Sequence, residues 1–481
     1  MAHGVKRSKD IRAKIFSRLK LWDEGHHTTL LDNLETEARL RAGWTTGSRT
    51  EEQSFRAFNT RLLSGRVRSA CRNLTNRAGG GVLLPTDLCT KTGRPVLEVL
   101  QSKHPAMREP PTLGDPDGVF EPYDSIPQPV PIVLTSDIVE EVASKLSGAA
   151  GPGGTDSEEL KTWLLRYGAE SHMLREEMAN FAMWIANRHP PWAAYRALMA
   201  CRLVALDKQP GVRPLGIGEI YRRLMAKCLL AVSGHHATQA CGNFNLCAGL
   251  RAGIEGAAHV VREAWQGDPA GPPAGAAPAA PRPNQQEGPA GPPARDREPD
   301  PDPDDPQGTL LVDAANGFNE LGRKALFWTT RHRWPHGARF AFNCYRHSAQ
   351  LVLRGEPGSR CSILLSREEV TQGDPLSMVL YGLSLVPLTE TLRRSHPDVI
   401  QPLYVDDAAM HGPVSQIAST MRQLPALGPA RGYFPEPAKS IFLGRPETSV
   451  RAREVLEEFH FKFLDGHRYI GGFIGTDEAR D

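Results

Sequence analysis

No uninterrupted apolar run in this sequence reaches the roughly 18 to 20 residues needed to cross a membrane. The polar start MAHGVKRSKD is not followed by an apolar signal core. The expectation is an intracellular chain, nuclear or cytoplasmic, that is neither secreted nor membrane-bound. Eight cysteines are present without one CxxC pair, which argues against a zinc site or a disulfide framework and for reduced thiols. Net charge is nearly absent as well: 57 Lys and Arg against 55 Asp and Glu leave +2. Bulk charge therefore names no partner, and its distribution has to be read instead. No internal repeat is apparent.

The 481 residues, 40% of them hydrophobic, suffice for real cores in roughly three units at about 150 residues each. Residues 1–77 carry sixteen Lys and Arg against eight Asp and Glu. Apolar Ile11, Ile15, Phe16 and Leu19 alternate there with Arg12, Lys14, Arg18 and Lys20 at helical spacing. This predicts a basic helical N-terminal region suited to phosphates, although solvated helix faces fit the same pattern. Residues 78–134 are spotted with PP, DP and GP turn signals and read as an irregular connector.

From 135 to 266 the pattern is mostly helical. TSDIVEEVASKL begins on a capping Thr135, a glycine-rich break follows at Gly148–Asp156, and a short hairpin over Leu203–Ile217 turns around Lys208-Gln209-Pro210-Gly211. Between Gly267 and Gly308, thirteen of 42 residues are proline and acids outnumber bases eight to three. Such a mixture cannot build a core and is expected to loop out unfolded.

At Thr309 the character changes to TLLVDAANGF, an apolar strand ending in Asp313. One helix is expected to about His332 and a second to about Leu353. QPLYVDDAAMHG reads as strand, two-aspartate turn and strand, with Asp406 and Asp407 at the tip. Antiparallel adjacency of these elements would gather three carboxylates, the usual hard ligands of magnesium. Singly each signal is weak, because a lone YVDD is most often a polar hairpin tip.

The combination is specific. LLVDAANGF, TQGDPLSMVLYG and YVDD, in that order, resemble the three central palm motifs of reverse transcriptases. DKQPGVRPLGIGEIYRRL upstream resembles the fingers motifs, and GYFPEPAKS and GHRYIGGFIG resemble the last palm motif and the primer-grip hairpin. The resemblance covers about residues 135–475 apart from the insert. It implies an α+β right-hand polymerase fold: helical fingers over 135–266, a palm over 309–445 with an antiparallel sheet backed by helices, and a primer-grip-like hairpin with a truncated thumb start over 446–481. The glycine-and-proline break resembles a motif of non-LTR retroelement polymerases without being a close copy.

The resemblance also implies roles. Asp313, Asp406 and Asp407 match the ligands of two Mg2+ ions, which Mn2+ could replace. Phe318 matches the bulky gate that crowds a ribose 2′-OH. Gln372 and Gly373 match the motif packed on the incoming nucleotide, and Lys208 and Arg213 the fingers residues that clamp its triphosphate. Lys439 matches a lysine near the departing pyrophosphate, where it could act as general acid. Tyr469, Gly471 and Gly472 would shape the turn beneath the primer end, where a plain tight hairpin is an equally good local reading. The implied partners are an RNA template, a DNA or RNA primer and deoxynucleoside triphosphates.

Two alternatives stay open. An RNA-dependent RNA polymerase shares the palm and its ligands, but commonly has an aspartate where this chain has Phe318. A retired palm could bind RNA as a non-catalytic scaffold, although loss of an acidic ligand would be expected there.

Overall fold

The computed structural model describes residues 8–30, 32–33, 36, 51–63, 81–108, 126–208, 210–267, 305–355 and 360–480. The insert expected to loop out lies outside the described residues except at its two ends. The chain divides into two compact units, Met1–Gly81 and Val82–Asp481. In the first, helices α1 (Ser8–Asp23) and α2 (Glu51–Leu63) are described, and they leave large apolar side chains such as Phe16, Trp22 and Phe55 exposed.

The second unit is built on two five-stranded sheets and a separate hairpin. In the first sheet, β1 is Val82–Leu83, and β2 (Cys201–Asp207) and β3 (Val212–Gly218) pair antiparallel from Cys201↔Gly218 to Asp207↔Val212. Their turn falls where the sequence locates it, and Gly211 takes the φ of +118° that the turn needs. The other edge of β2 pairs with β1 and, in parallel, with β5 (Ala349–Leu353). Strand β6 (Ser362–Ser366) completes this sheet beside β5.

Around it lie α3 (Val96–Lys103), α4 (Ser136–Ser144), α5 (Ser157–Leu165), α6 (Ala169–Asn187) and α7 (Ile220–Cys241). Strand β1 and helix α3 fall inside the stretch read as an irregular connector. There Cys89, Val96, Val99 and Leu100 form a core of their own with Cys201, Leu203, Ala205 and Val212. Eight residues are too few for a helical period to stand out among turn signals.

The glycine-rich break is clamped by the start of α7. Glu219 accepts the Gly153 N–H at 2.5 Å, and Arg223 donates to the Ala149 carbonyl at 2.5 Å. A Cβ on Gly151 would sit 2.8 Å from the Glu219 Cα, so that close approach requires glycine. The next helix starts because Asp156 accepts the N–H groups of Glu158 and Glu159 at 2.9 and 3.0 Å.

Helix α8 (Gly253–Gln266) ends just before the insert, and the short α9 (Gly317–Glu320) follows strand β4 (Gln307–Val312). Helices α10 (Arg323–Arg333) and α11 (Pro335–Tyr345) come next. The second of these stops well short of Leu353. Residues 349–353 alternate buried Ala349, Leu351 and Leu353 with more exposed Gln350 and Val352, a period of two that suits a strand between neighbours.

The second sheet runs β10-β9-β4-β8-β7, with β7 at Leu403–Tyr404, β8 at Asp407–Pro413, β9 at Ile441–Leu443 and β10 at Lys462–Leu464. Strand β4 is antiparallel to both β8 and β9. One face puts Leu310, Val312 and Met410 into the main core with residues of α12 (Ser377–Ser395) and α13 (Val414–Leu427). On the other, Leu311 and Ala409 meet Val261 and Trp265 of α8 and Tyr469 and Ile474. The last two belong to the hairpin β11 (Gly466–Tyr469) and β12 (Gly472–Gly475).

A buried polar knot joins the two sheets' helices. Arg222 of α7 pairs with Asp374, and the Tyr345 hydroxyl donates to the same carboxylate oxygen at 2.7 Å. Both charged side chains are almost fully buried, at 2% and 4% exposure. Removing one partner strands the other in the core, at a typical cost of about 3 to 5 kcal/mol. Arg222→Met and Asp374→Leu should each lower the unfolding free energy obtained from urea titration by an amount in that range, and the double variant should lose less than the sum of the two singles.

Candidate functional site

The register of β4 on β8 assembles the site. Val312 stands opposite Ala408, so Asp313, the next residue, arrives beside Asp407 and the turn that holds Asp406. Strand β7 returns into β8 through Tyr404↔Asp407, leaving Val405 and Asp406 as the turn. Val405 has a φ of +60°, a costly conformation for a β-branched residue. Asn245 secures it twice: its Oδ1 accepts the Val405 N–H at 3.2 Å, and its Nδ2 donates to the Val405 carbonyl at 3.3 Å. The Leu246 N–H donates to Leu403 in the same strip.

Gly317 backs the Asp406 side chain so closely that a Cβ there would lie 2.6 Å from Oδ2. Tyr469, from the expected tight hairpin, donates its hydroxyl to the Asp407 carbonyl at 3.4 Å. Its turn residues Ile470 and Gly471 both have positive φ, which fits a two-residue hairpin loop. Asp313 is fixed through its backbone. Its N–H donates to the Ser440 hydroxyl at 3.2 Å, and its carbonyl accepts the Glu436 N–H at 2.8 Å.

The three carboxylates disturb one another. Burial pushes Asp407 up to about 6, with repulsion from Asp406 and Asp313 added and Lys208 and Arg213 opposing. Burial also raises Asp406, with Asp313 adding to the effect and Arg213 and Lys208 opposing. Asp313 is raised by burial against the pull of Lys439, which lies 3.7 Å away and also pairs with Glu436. Lys208, Arg213, Lys439 and the three aspartates are thus within electrostatic reach of one point.

Gln372 and Gly373 are positioned by the first sheet. A Cβ on Gly373, at φ +98°, would meet the Gly216 carbonyl oxygen at 2.7 Å, and a Cβ on Gly216 would meet the Thr371 methyl. The Phe318 ring is half-buried and tilts against Tyr381 at a centroid distance of 5.0 Å. It sits one residue from the Gly317 that touches Asp406.

Four hard oxygen-bearing side chains, Asp313, Asp406, Asp407 and Glu436, suit a divalent cation. They do not close into a finished coordination sphere, and among the described residues no group of three or more His, Cys, Asp or Glu has that geometry. Lys439 supplies part of the missing positive charge. Asn245, Arg222 and Asp374 escaped the sequence reading. Their roles arise from contacts across long sequence separations, and GNFNLC carries no local signal. No helix among the described residues is long and apolar enough to cross a membrane.

No family model matches this sequence, and no curated protein matches it. Among solved structures, the chain is similar to apo telomerase from Candida tropicalis truncated from its C-terminal domain. That match has 8% identity over 58% of this chain and 54% of that one, with a TM-score of 0.36. Telomerase from Candida albicans in complex with a TWJ fragment of telomeric RNA matches at 9% identity over 58% and 46%, with a TM-score of 0.38. Apo telomerase from Candida tropicalis matches at 8% over 60% and 48%, with a TM-score of 0.39. The chain spans about half the length of these telomerases. What the site can do follows from its side chains, not from this likeness.

The raised Asp407 has a consequence for stability. Its folded value of about 6 lies above the ordinary 3.8, so the folded state binds the proton more tightly than the unfolded state does. The stabilisation is complete below pH 3.8 and is lost as pH rises through 6. In chelator, Asp407→Asn should therefore raise the melting temperature at pH 8, by the equivalent of about 1 kcal/mol after solvent screening, and leave it unchanged near pH 3.5.

Proposed function

We propose that this chain is an RNA-directed DNA polymerase of the retroelement kind, resembling the non-LTR group, with a right-hand fold. The second sheet is its palm and the β2–β3 hairpin belongs to its fingers. The observation that carries this reading is the β4–β8 register, which brings Asp313 to the Asp406–Asp407 turn. Lys208, Arg213 and Lys439 act electrostatically on the same carboxylates, as a site for a magnesium-bound triphosphate requires.

Asp313, Asp406 and Asp407 would hold two Mg2+ ions. Two such ions, when bound, activate the primer hydroxyl and neutralise charge on the transferred phosphate. Lys208 and Arg213 bind the triphosphate, Arg with a fork of N–H donors and Lys as a point charge. The primer 3′-OH loses its proton to solvent, and O3′ forms its bond to the α-phosphorus as the bond from that phosphorus to the bridging oxygen breaks, so that pyrophosphate leaves. Lys439 Nζ gives a proton to the leaving oxygen. Phe318, steadied by Tyr381, crowds the sugar 2′ position and favours deoxynucleotides. The basic N-terminal region holds template or primer through phosphates.

Incorporation of labelled dTTP on poly(rA)/oligo(dT) with Mg2+ or Mn2+ tests this directly. Asp406→Asn should reduce incorporation by about a hundredfold or more, and Phe318→Ala should increase acceptance of ribonucleotides. A parent chain that binds RNA yet incorporates nothing under either metal points instead to a non-catalytic RNA-binding scaffold.

A further inference from the structure

Lys103 closes helix α3, outside every motif that resembles a known polymerase element. The segment that carries it bridges the two sheets. At one end, the Thr90 hydroxyl accepts the Gly211 N–H at 3.2 Å, and the Lys91 stem lies along Gly211. This sets Lys91 against the turn that bears Lys208. At the other end, Asn316 donates to the Lys103 carbonyl at 2.9 Å. The next residue, His104, meets Glu369 at 2.7 Å and Asn319 at 3.1 Å. Asn316 lies three residues beyond Asp313, in the left-handed conformation that asparagine tolerates. Lys103 is thereby fixed between the fingertip turn and the strand end that carries Asp313.

Its surroundings are unusual for a lysine. The side chain is half-buried, and among the described residues no carboxylate pairs with it. Burial comes first in holding its ammonium below the ordinary lysine range, followed by the positive charges of Lys208, Lys91 and Lys439. Those neighbours come from three separate parts of the chain. Half-buried Lys103 thus faces the exposed lysines Lys91, Lys208 and Lys439, and although Lys439 already pairs with Asp313 and Glu436, the positive charge gathered there favours a bound anion. Two of the four, Lys208 and Lys439, also act on Asp313, so the space adjoins the carboxylate cluster.

We propose that Lys103 is a substrate-binding residue that contacts the β- and γ-phosphates of the incoming nucleotide and then the departing pyrophosphate, with Asn316 and His104 as its positioning residues. This rests on the polymerase reading for the identity of the substrate. The anion-binding property does not. The same oxyanion chemistry occurs in a template backbone phosphate, and the two sources separate by experiment.

Inorganic tripolyphosphate is the probe, titrated calorimetrically into the full chain with Ca2+, so that no turnover is needed. Lys103→Met should weaken its binding about tenfold or more, and Lys103→Arg should retain most of it. Without anion, Lys103→Met should melt at or above the temperature of the parent, because an uncompensated charge has been removed. Unchanged tripolyphosphate binding in Lys103→Met would overturn the proposal. So would a loss confined to primer–template affinity, which would assign Lys103 to the template backbone, or a lowered melting temperature, which would make it structural. Tripolyphosphate binding that depends on Lys103 in a parent chain that never incorporates dTTP would sink the polymerase reading and leave the anion site standing.

Discussion

Three carboxylates gathered at one end of an antiparallel strand pair repel one another in a half-buried setting, and much of the second unit serves to hold them there. The cost is visible in all three groups, each pushed above its ordinary range chiefly by burial. A fold tolerates such a cluster only where the surrounding backbone is over-determined. Here that restraint is non-local: Asn245 on the Val405 peptide, Gly317 behind Asp406, Tyr469 under Asp407 and Ser440 on the Asp313 amide. Each removes a way for the carboxylates to move apart.

The positive side of the site is arranged in the opposite manner. Lys208 and Arg213 flank a hairpin turn, Lys439 follows a short turn after Glu436, and Lys103 ends a helix, so the cations approach from three separate stretches of chain. The negative charges come from two adjoining strands. A compact anionic base thus faces dispersed cations, and the two charges balance only across the space between them.

Legibility in the sequence followed the range of the interaction. The β2–β3 hairpin could be read because alternation and a Pro-Gly turn are local, and the caps at Thr135 and Asp156 because a cap needs only three residues. Asp313, Asp406 and Asp407 could be named from motif and order. Their convergence rests on the pairing of strands almost a hundred residues apart, which no local pattern states. Strand β5 was hidden behind a helix that stops early, and α3 among turn residues. Asn245 and the Arg222–Asp374–Tyr345 knot were illegible for the same reason: a buried polar side chain is recognised by its partner, and the partner is distant in sequence.

The short segment around α3 has a mechanical meaning beyond charge. Eight helical residues span about 12 Å, a short rod whose preceding Thr90 is tied to the β2–β3 turn and whose end at Lys103 and His104 is tied to Asn316 and Glu369. Moving the β2–β3 turn away from the strand end that carries Asp313 must therefore break one of these ties or carry the rod with it.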